Sequence, residues 1–138
     1  MRIMGLDIGT KNIGVAVSDE TCLLAQAREV IKRTSDEAAI KNVERLADEY
    51  NVGVVVVGLA INMNGTHGPR AEDSIKFSEK LKKALPITVK LWDERLSTKE
   101  AESVLLAGDV SRKKRKKVID KLAAQIILQG YLDSERGK

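Results

Sequence analysis

The chain has few of the residues on which specialised chemistry usually rests. It has one cysteine, Cys22, and one histidine, His67. One thiol makes no internal disulfide, and no Cys/His cluster has zinc spacing. A reducing compartment is the natural setting. Aromatic residues are 3% of the chain: one Trp, two Tyr and one Phe. That excludes a stacking platform for single-stranded bases as the main binding mode. It also leaves the core to Val, Ile, Leu and Ala. No apolar run approaches the roughly 18 residues of a membrane span. Asp7 interrupts the N-terminal apolar stretch, so no signal peptide is read there. A soluble, cytoplasmic protein is expected. The 138 residues suit one domain, expected to span 1–138, with no room for a second lobe.

Charge, by contrast, is plentiful and unevenly placed. Charged residues make up 32% of the chain, and the net charge is +4. Arg112, Lys113, Lys114, Arg115, Lys116 and Lys117 are contiguous. Without those six, 18 basic residues face 20 acidic ones, so the whole basic excess sits in one segment. A concentrated patch suggests a polyanion partner. A solvated charge run is the plainer alternative. Its position argues against that, because cations at a helix start oppose the macrodipole unless a phosphate reverses the cost.

The periodicity predicts an α/β fold. Residues 1–8 read as a strand running into a Gly turn, and 12–19 alternate as a second strand hairpinned to it. Residues 23–31 supply a third. Thr34 and Glu37 form a capping box for a helix carrying Ala39, Val43, Leu46, Ala47 and Tyr50 on one face. The run Val54-Val55-Val56-Val57 within 53–59 suits a strand buried on both faces. Residues 60–68 read as a loop. Pro69 opens a helix with Ala71, Ile75, Ser78, Leu81 and Leu85 on one face, ended by Pro86. Residues 87–92 are another buried strand. Ser97 and Glu100 cap a helix reaching Gly108, and 118–132 form the last helix. Early hairpins followed by crossovers imply a mixed sheet with helices on both faces.

Function in such sheets collects beyond the C-terminal strand ends. Asp7 ends the first strand, and Asp93 and Glu94 end the last. Asp120 lies on the final helix. At about 100° per residue it stands at the edge of the stripe made by Ile119, Leu122, Ala123 and Ile126. Clustered carboxylates repel unless a cation neutralises them. Mg²⁺ and Mn²⁺ take such hard oxygen ligands, and one or two ions suffice to support phosphodiester hydrolysis without a side-chain base. A lone carboxylate at a strand end is most often a solvated loop residue. The Asp7-Ile8-Gly9-Thr10 turn also occurs in actin-like and sugar-kinase phosphate loops, which need two lobes. His67 reads as a loop residue, Cys22 as a small buried hydrophobe and Trp92 as a packing residue.

Several stretches together resemble the YqgF family of bacterial Holliday-junction-resolvase-like proteins, also described as pre-16S rRNA nucleases. They are Gly5-Leu6-Asp7-Ile8-Gly9-Thr10-Lys11-Asn12-Ile13-Gly14-Val15-Ala16, Val57-Gly58-Leu59, Asn62-Met63-Asn64-Gly65 and Asp93-Glu94-Arg95-Leu96-Ser97-Thr98. The stretch Asp120-Lys121-Leu122-Ala123-Ala124-Gln125-Ile126-Ile127-Leu128 fits as well. The resemblance spans essentially the whole chain. It implies a ribonuclease-H-like fold, here a five-stranded mixed sheet. It implies an acidic triad, carried over to Asp7, Glu94 and Asp120, and a nuclease trimming the 5′ end of precursor 16S rRNA during ribosome biogenesis. Arg95, Ser97 and Thr98 fall in the family's site block, although Ser97 could simply cap its helix. The chain departs from the pattern at Ala60, where the family usually has Pro, and at Asn64, where it usually has Asp.

The expected mechanism places one or two Mg²⁺ or Mn²⁺ ions on Asp7, Glu94 and Asp120. Lys11, Arg95 and the six residues 112–117 then hold the strand's phosphates. Three rivals stay open at this point. One is a structure-selective DNA resolvase working as a dimer on branched DNA. The second is a non-catalytic nucleic-acid-binding factor. The third is a degenerate ATP-binding module built on the Asp7-Ile8-Gly9-Thr10 turn. RNA against DNA and monomer against homodimer are not separable here.

Overall fold

The computed structural model describes residues 1–62, 64–96 and 112–136, with side chains at all of these except 96 and 112–121. Five strands form one sheet in the order β3-β2-β1-β4-β5. They are β1 (Arg2–Ile8), β2 (Asn12–Ser18), β3 (Ala25–Lys32), β4 (Val52–Leu59) and β5 (Thr88–Asp93). The first three pair antiparallel, whereas β4 lies parallel to both β1 and β5. Helices α1 (Asp36–Glu49) and α2 (Pro69–Ala84) pack on one face, and α3 (Arg112–Arg136) packs on the other. This is the mixed, doubly covered sheet expected from the element order.

The central strand β1 is buried on both sides from Met4 onward. Its alternation sorts two cores. Met4, Leu6 and Ile8 join Ile13, Val15, Val17, Val55 and Val57 under Val43 and Leu46 of α1 and Phe77 and Leu81 of α2. Burying each large side chain of this set contributes about 1.5–3 kcal/mol. The opposite face is floored by small residues. A Cβ on Gly5 would lie 2.7 Å from Leu128 Cβ and 3.1 Å from the Ala124 carbonyl oxygen. Helix α3 therefore sits closer to the sheet than any side chain at position 5 permits. Ala16, Val56, Ala124, Ile127, Leu128, Tyr131 and Leu132 complete this second core. Trp92 meets Tyr131 edge-on at 5.9 Å, the packing role expected of it.

Two glutamines fix the direction of α3. Gln129 accepts from the Ala25 amide (2.9 Å), and Gln125 accepts from the Ala27 amide (3.3 Å). Strand β3 runs parallel to β1, since both oppose β2. Helix α3 consequently runs opposite to β1, with its N-terminal half toward the C-terminal end of that strand. Among the described residues, no helix is long and apolar enough to cross a membrane.

Several expectations need correction. Ser35, not Thr34, caps α1: its side chain accepts from the Ala38 amide. Ser and Thr both serve as N-caps, and the backbone turns one residue later. Strand β5 is not buried on both faces. It is the sheet's edge, and only Val89 among its residues is buried. The centre of the α2 face is Phe77, while Ile75 is only half-buried. Helix α3 begins at Arg112 rather than at 118, so the basic run is the start of the helix itself. Residues 23 and 24 precede β3, because Asp19 accepts both their amides in a turn. The expected helix over 97–108 lies outside the described residues.

Candidate active site

Asp7 shares its face with Gly5, one pleat further along β1, and stands opposite Gly14 of β2. It is 5% exposed. Burying a carboxylate is costly unless a cation or donors compensate. Arg70, on the first turn of α2, donates from Nη2 to Asp7 Oδ1 at 2.8 Å.

Glu94 opens the 3-10 turn (Glu94–Leu96) that follows β5. Its carboxylate lies over Gly58 of β4, the strand between β1 and β5. A Cβ at Gly58 would be 2.7 Å from Glu94 Oε1 and 2.4 Å from Ile127 Cδ1. Two carboxylates thus reach one sheet end from the strands on either side of β4, on the α3 face. Among the described residues, no three His, Cys, Asp or Glu side chains group to hold a metal. The backbone of Asp120 belongs to α3, and its side chain lies outside the described residues. The donors present are hard carboxylate oxygens, that of Asp7 buried and that of Glu94 seated against Gly58. That chemistry fits Mg²⁺ or Mn²⁺.

Beside Asp7 opens a cleft of about 730 Å³, lined by the β1–β2 turn, Arg33 and the start of α2. Gly9 makes the turn possible: its amide donates to the Asn12 carbonyl, and a Cβ there would lie 2.5 Å from that oxygen. Thr10, Lys11 and Asn12 line one wall, Arg70 and Asp73 the other. Lys11, expected to contact phosphate, is exposed there.

Arg33 ties the cleft together. Its guanidinium donates to Asp73 (2.6 and 2.9 Å), to Asp36 (2.8 Å) and to the Gly9 carbonyl (3.0 Å), and it lies over the Phe77 ring. These bonds hold the Asp73 and Asp36 carboxyls below the usual carboxylate range, with Lys80 adding to the effect at Asp36. Arg33→Ala is expected to lower stability by about 2–3 kcal/mol, less than for a fully buried network because both carboxylates keep water contact. Depressed carboxylate pKa values stabilise the fold above their unfolded value, about 3.9, and that contribution is lost as pH falls through the folded values. Thermal unfolding at pH 7 and pH 3 should show a smaller acid loss in the variant than in the wild type.

Other expected site residues are placed less tellingly. Arg95 is engaged by Asp93, which it contacts at 2.7–3.1 Å and whose carboxyl it holds low. Ser97 and Thr98 lie outside the described residues, as do the side chains of residues 112–117. His67 is exposed and bridges backbone to backbone with Ile61. Asn64 Oδ1 accepts from the Thr66 amide and hydroxyl at 3.1 and 2.6 Å. An Asp would make the same turn, so this departure from the family pattern changes charge and not loop shape. Cys22 is half-buried, its thiol against the Met1 carbonyl. Arg33 and Arg70 were not foreseen. Their only sequence signal is an arginine one residue after Pro69 and another three before Asp36.

A family model described as "RuvX: Holliday junction resolvase" matches residues 1–134. A protein of Geobacillus kaustophilus (strain HTA426) named "Putative pre-16S rRNA nuclease" is 56% identical over 99% of this chain and 100% of its own length. One of the same name from Thermoanaerobacter pseudethanolicus is 52% identical, covering 100% of both. Among solved structures, Thermus thermophilus RuvC in complex with Holliday junction substrate matches 100% of this chain and 97% of its own, with TM-score 0.63 and 15% identity. The fowlpox virus Holliday junction resolvase matches 97% and 99%, with TM-score 0.55 and 20% identity. At those identities the likeness is one of fold, and it bears out the ribonuclease-H-like class.

Proposed function

This chain belongs to the RuvX family, and on that premise we propose that it is a metal-dependent nuclease, with residues 1–138 as one catalytic domain. The observation that carries the reading is the placement of both carboxylates at one sheet end, Asp7 near the end of β1 and Glu94 over Gly58 of the neighbouring β4. Asp120 is the third ligand in this reading, and the direction of α3 supports it. The Ala124 carbonyl lies against Gly5. Asp120 is one helical turn, about 6 Å, before Ala124. Asp7 is two strand residues, about 7 Å, beyond Gly5. With helix and strand antiparallel, the two offsets bring position 120 level with Asp7.

When bound, Mg²⁺ or Mn²⁺ supplies Lewis acidity toward a phosphate and a lowered pKa for water. The chain's own residues do the rest. Asp7 and Glu94 hold the ion and are themselves held, Asp7 by burial in β1 and Glu94 by its place over Gly58. Lys11 in the cleft and residues 112–117 on α3 bind the strand's backbone. If all six of those basic residues meet phosphate, they should contribute about −4 to −5 to the slope of log K against log salt, and replacing them by Ala should leave only about −1 from Lys11. Nitrocellulose-filter or anisotropy titrations across salt read this directly.

The names carried by the relatives favour precursor 16S rRNA as substrate, and in our reading the cut falls at its 5′ end and the work is done in the cytoplasm. The description of the family favours branched DNA as a second reading. Cleavage of a labelled precursor rRNA fragment and of a four-way DNA junction, side by side with Mg²⁺ or Mn²⁺, separates them. Metal-dependent cutting of the RNA supports the first, and cutting of the junction alone supports the second. Binding of both without cutting under either metal overturns the nuclease reading in favour of a binding factor.

A further inference from the structure

Arg70 stands between two places where a cation is wanted. It donates to Asp7 at 2.8 Å, and the pair is lopsided: the Asp7 side chain is 8% exposed and the Arg70 side chain 55%. Arg70 also lines the cleft, across from Thr10, Lys11 and Asn12. The cleft's other arginine, Arg33, is committed to Asp36, Asp73 and the Gly9 carbonyl. It holds the walls together and cannot leave. Arg70 is exposed enough to turn about its own stem without opening the core.

We infer that Arg70 exchanges anions: it neutralises Asp7 in the free protein and passes to a phosphate of the bound strand in the cleft when a divalent cation takes Asp7. This rests on the reading of Asp7 as a metal ligand. A guanidinium and a divalent ion on one carboxylate repel each other, and the mobile partner gives way. A phosphate offers the guanidinium a second anion with matching fork geometry. By linkage, whatever draws Arg70 into the cleft eases cation binding at Asp7, and the reverse holds equally. Arg70 is thus a positioning residue that couples strand binding to loading of the metal site.

The test uses the full chain and needs no turnover. Mn²⁺ binding to the free protein is measured by electron paramagnetic resonance for wild type, Arg70→Ala, Arg70→Lys and Asp7→Asn. Removing a partly exposed competing cation should tighten Mn²⁺ about fivefold in Arg70→Ala. Arg70→Lys, which keeps the charge, should stay near wild type and controls for folding. Separately, binding of a labelled single-stranded RNA is measured in EDTA. Asp7→Asn frees Arg70 and should tighten RNA about threefold to fivefold, a gain that disappears in the Asp7→Asn/Arg70→Ala double variant. Unchanged Mn²⁺ affinity in Arg70→Ala, or an equal gain with and without Arg70, overturns the exchange. In that case loss of Mn²⁺ in Asp7→Asn still upholds the metal site. Equal Mn²⁺ binding by wild type and Asp7→Asn overturns the metal-site reading, and the exchange with it.

Discussion

Asp7→Asn is expected to reduce cleavage by at least about 100-fold while leaving the protein folded. Loss of an outer-sphere partner of a metal ligand alone costs about 10–100-fold, so loss of a ligand's charge should cost more. The amide keeps the same volume at this buried position but lacks the charge that held Arg70. Arg70 is exposed enough to rehydrate, so its charge is not stranded. Thermal unfolding should therefore move by a few degrees at most. Nucleic-acid binding should persist or strengthen, because Arg70 is released toward the cleft. Single-turnover cleavage and anisotropy binding on the same preparation give both numbers. Cleavage at the wild-type rate would remove Asp7 from the mechanism.

Gly58→Ala should separate activity from stability in the opposite sense to an ordinary core variant. The added methyl would meet Ile127 Cδ1 at 2.4 Å and Glu94 Oε1 at 2.7 Å. Both are ends of flexible side chains, so the clash relaxes by moving them, at about 1–2 kcal/mol. Gly58, unlike Gly65, does not have a positive φ. Alanine there also reduces the entropy of the unfolded chain, returning about 0.4–1 kcal/mol. The net loss of stability should be small. The displaced carboxylate is another matter, since a shift of about 1 Å at a reacting centre can cost about 100-fold. A modest fall in Tm with a large fall in kcat is the expected pair of results. A full retention of kcat would mean that Glu94 does not act from its position over β4.

The sheet was legible because its central strands carry their burial in sequence. The Val54-Val55-Val56-Val57 run and the Leu6-Asp7-Ile8-Gly9 ending put β4 and Asp7 where they are. Strand β5 misled for the converse reason. Its Val and Leu look like core, yet its place at the sheet edge is decided by which strand lies next to it, which no local pattern encodes. The Thr34–Ser35 shift is a choice between two adjacent capping side chains. The cleft was the least legible part. Arg70 is held by a carboxylate 63 residues away, and Arg33 by one 40 residues away besides its neighbour Asp36, and no window of periodicity reaches that far. Glu94 came from its position after the last strand. The reason it has room there, a glycine across in β4, emerged from the packing of α3.

The two glutamines of α3 have an effect beyond fixing the helix. Strand β3 ends the sheet, and an end strand with unspent amides invites a foreign strand to add to it. Ala25 and Ala27 already donate to Gln129 and Gln125. An incoming chain would have to break those bonds before making its own. The helix that builds one core thereby also guards the start of this edge against runaway self-assembly, which matters most when the protein is crowded or newly made.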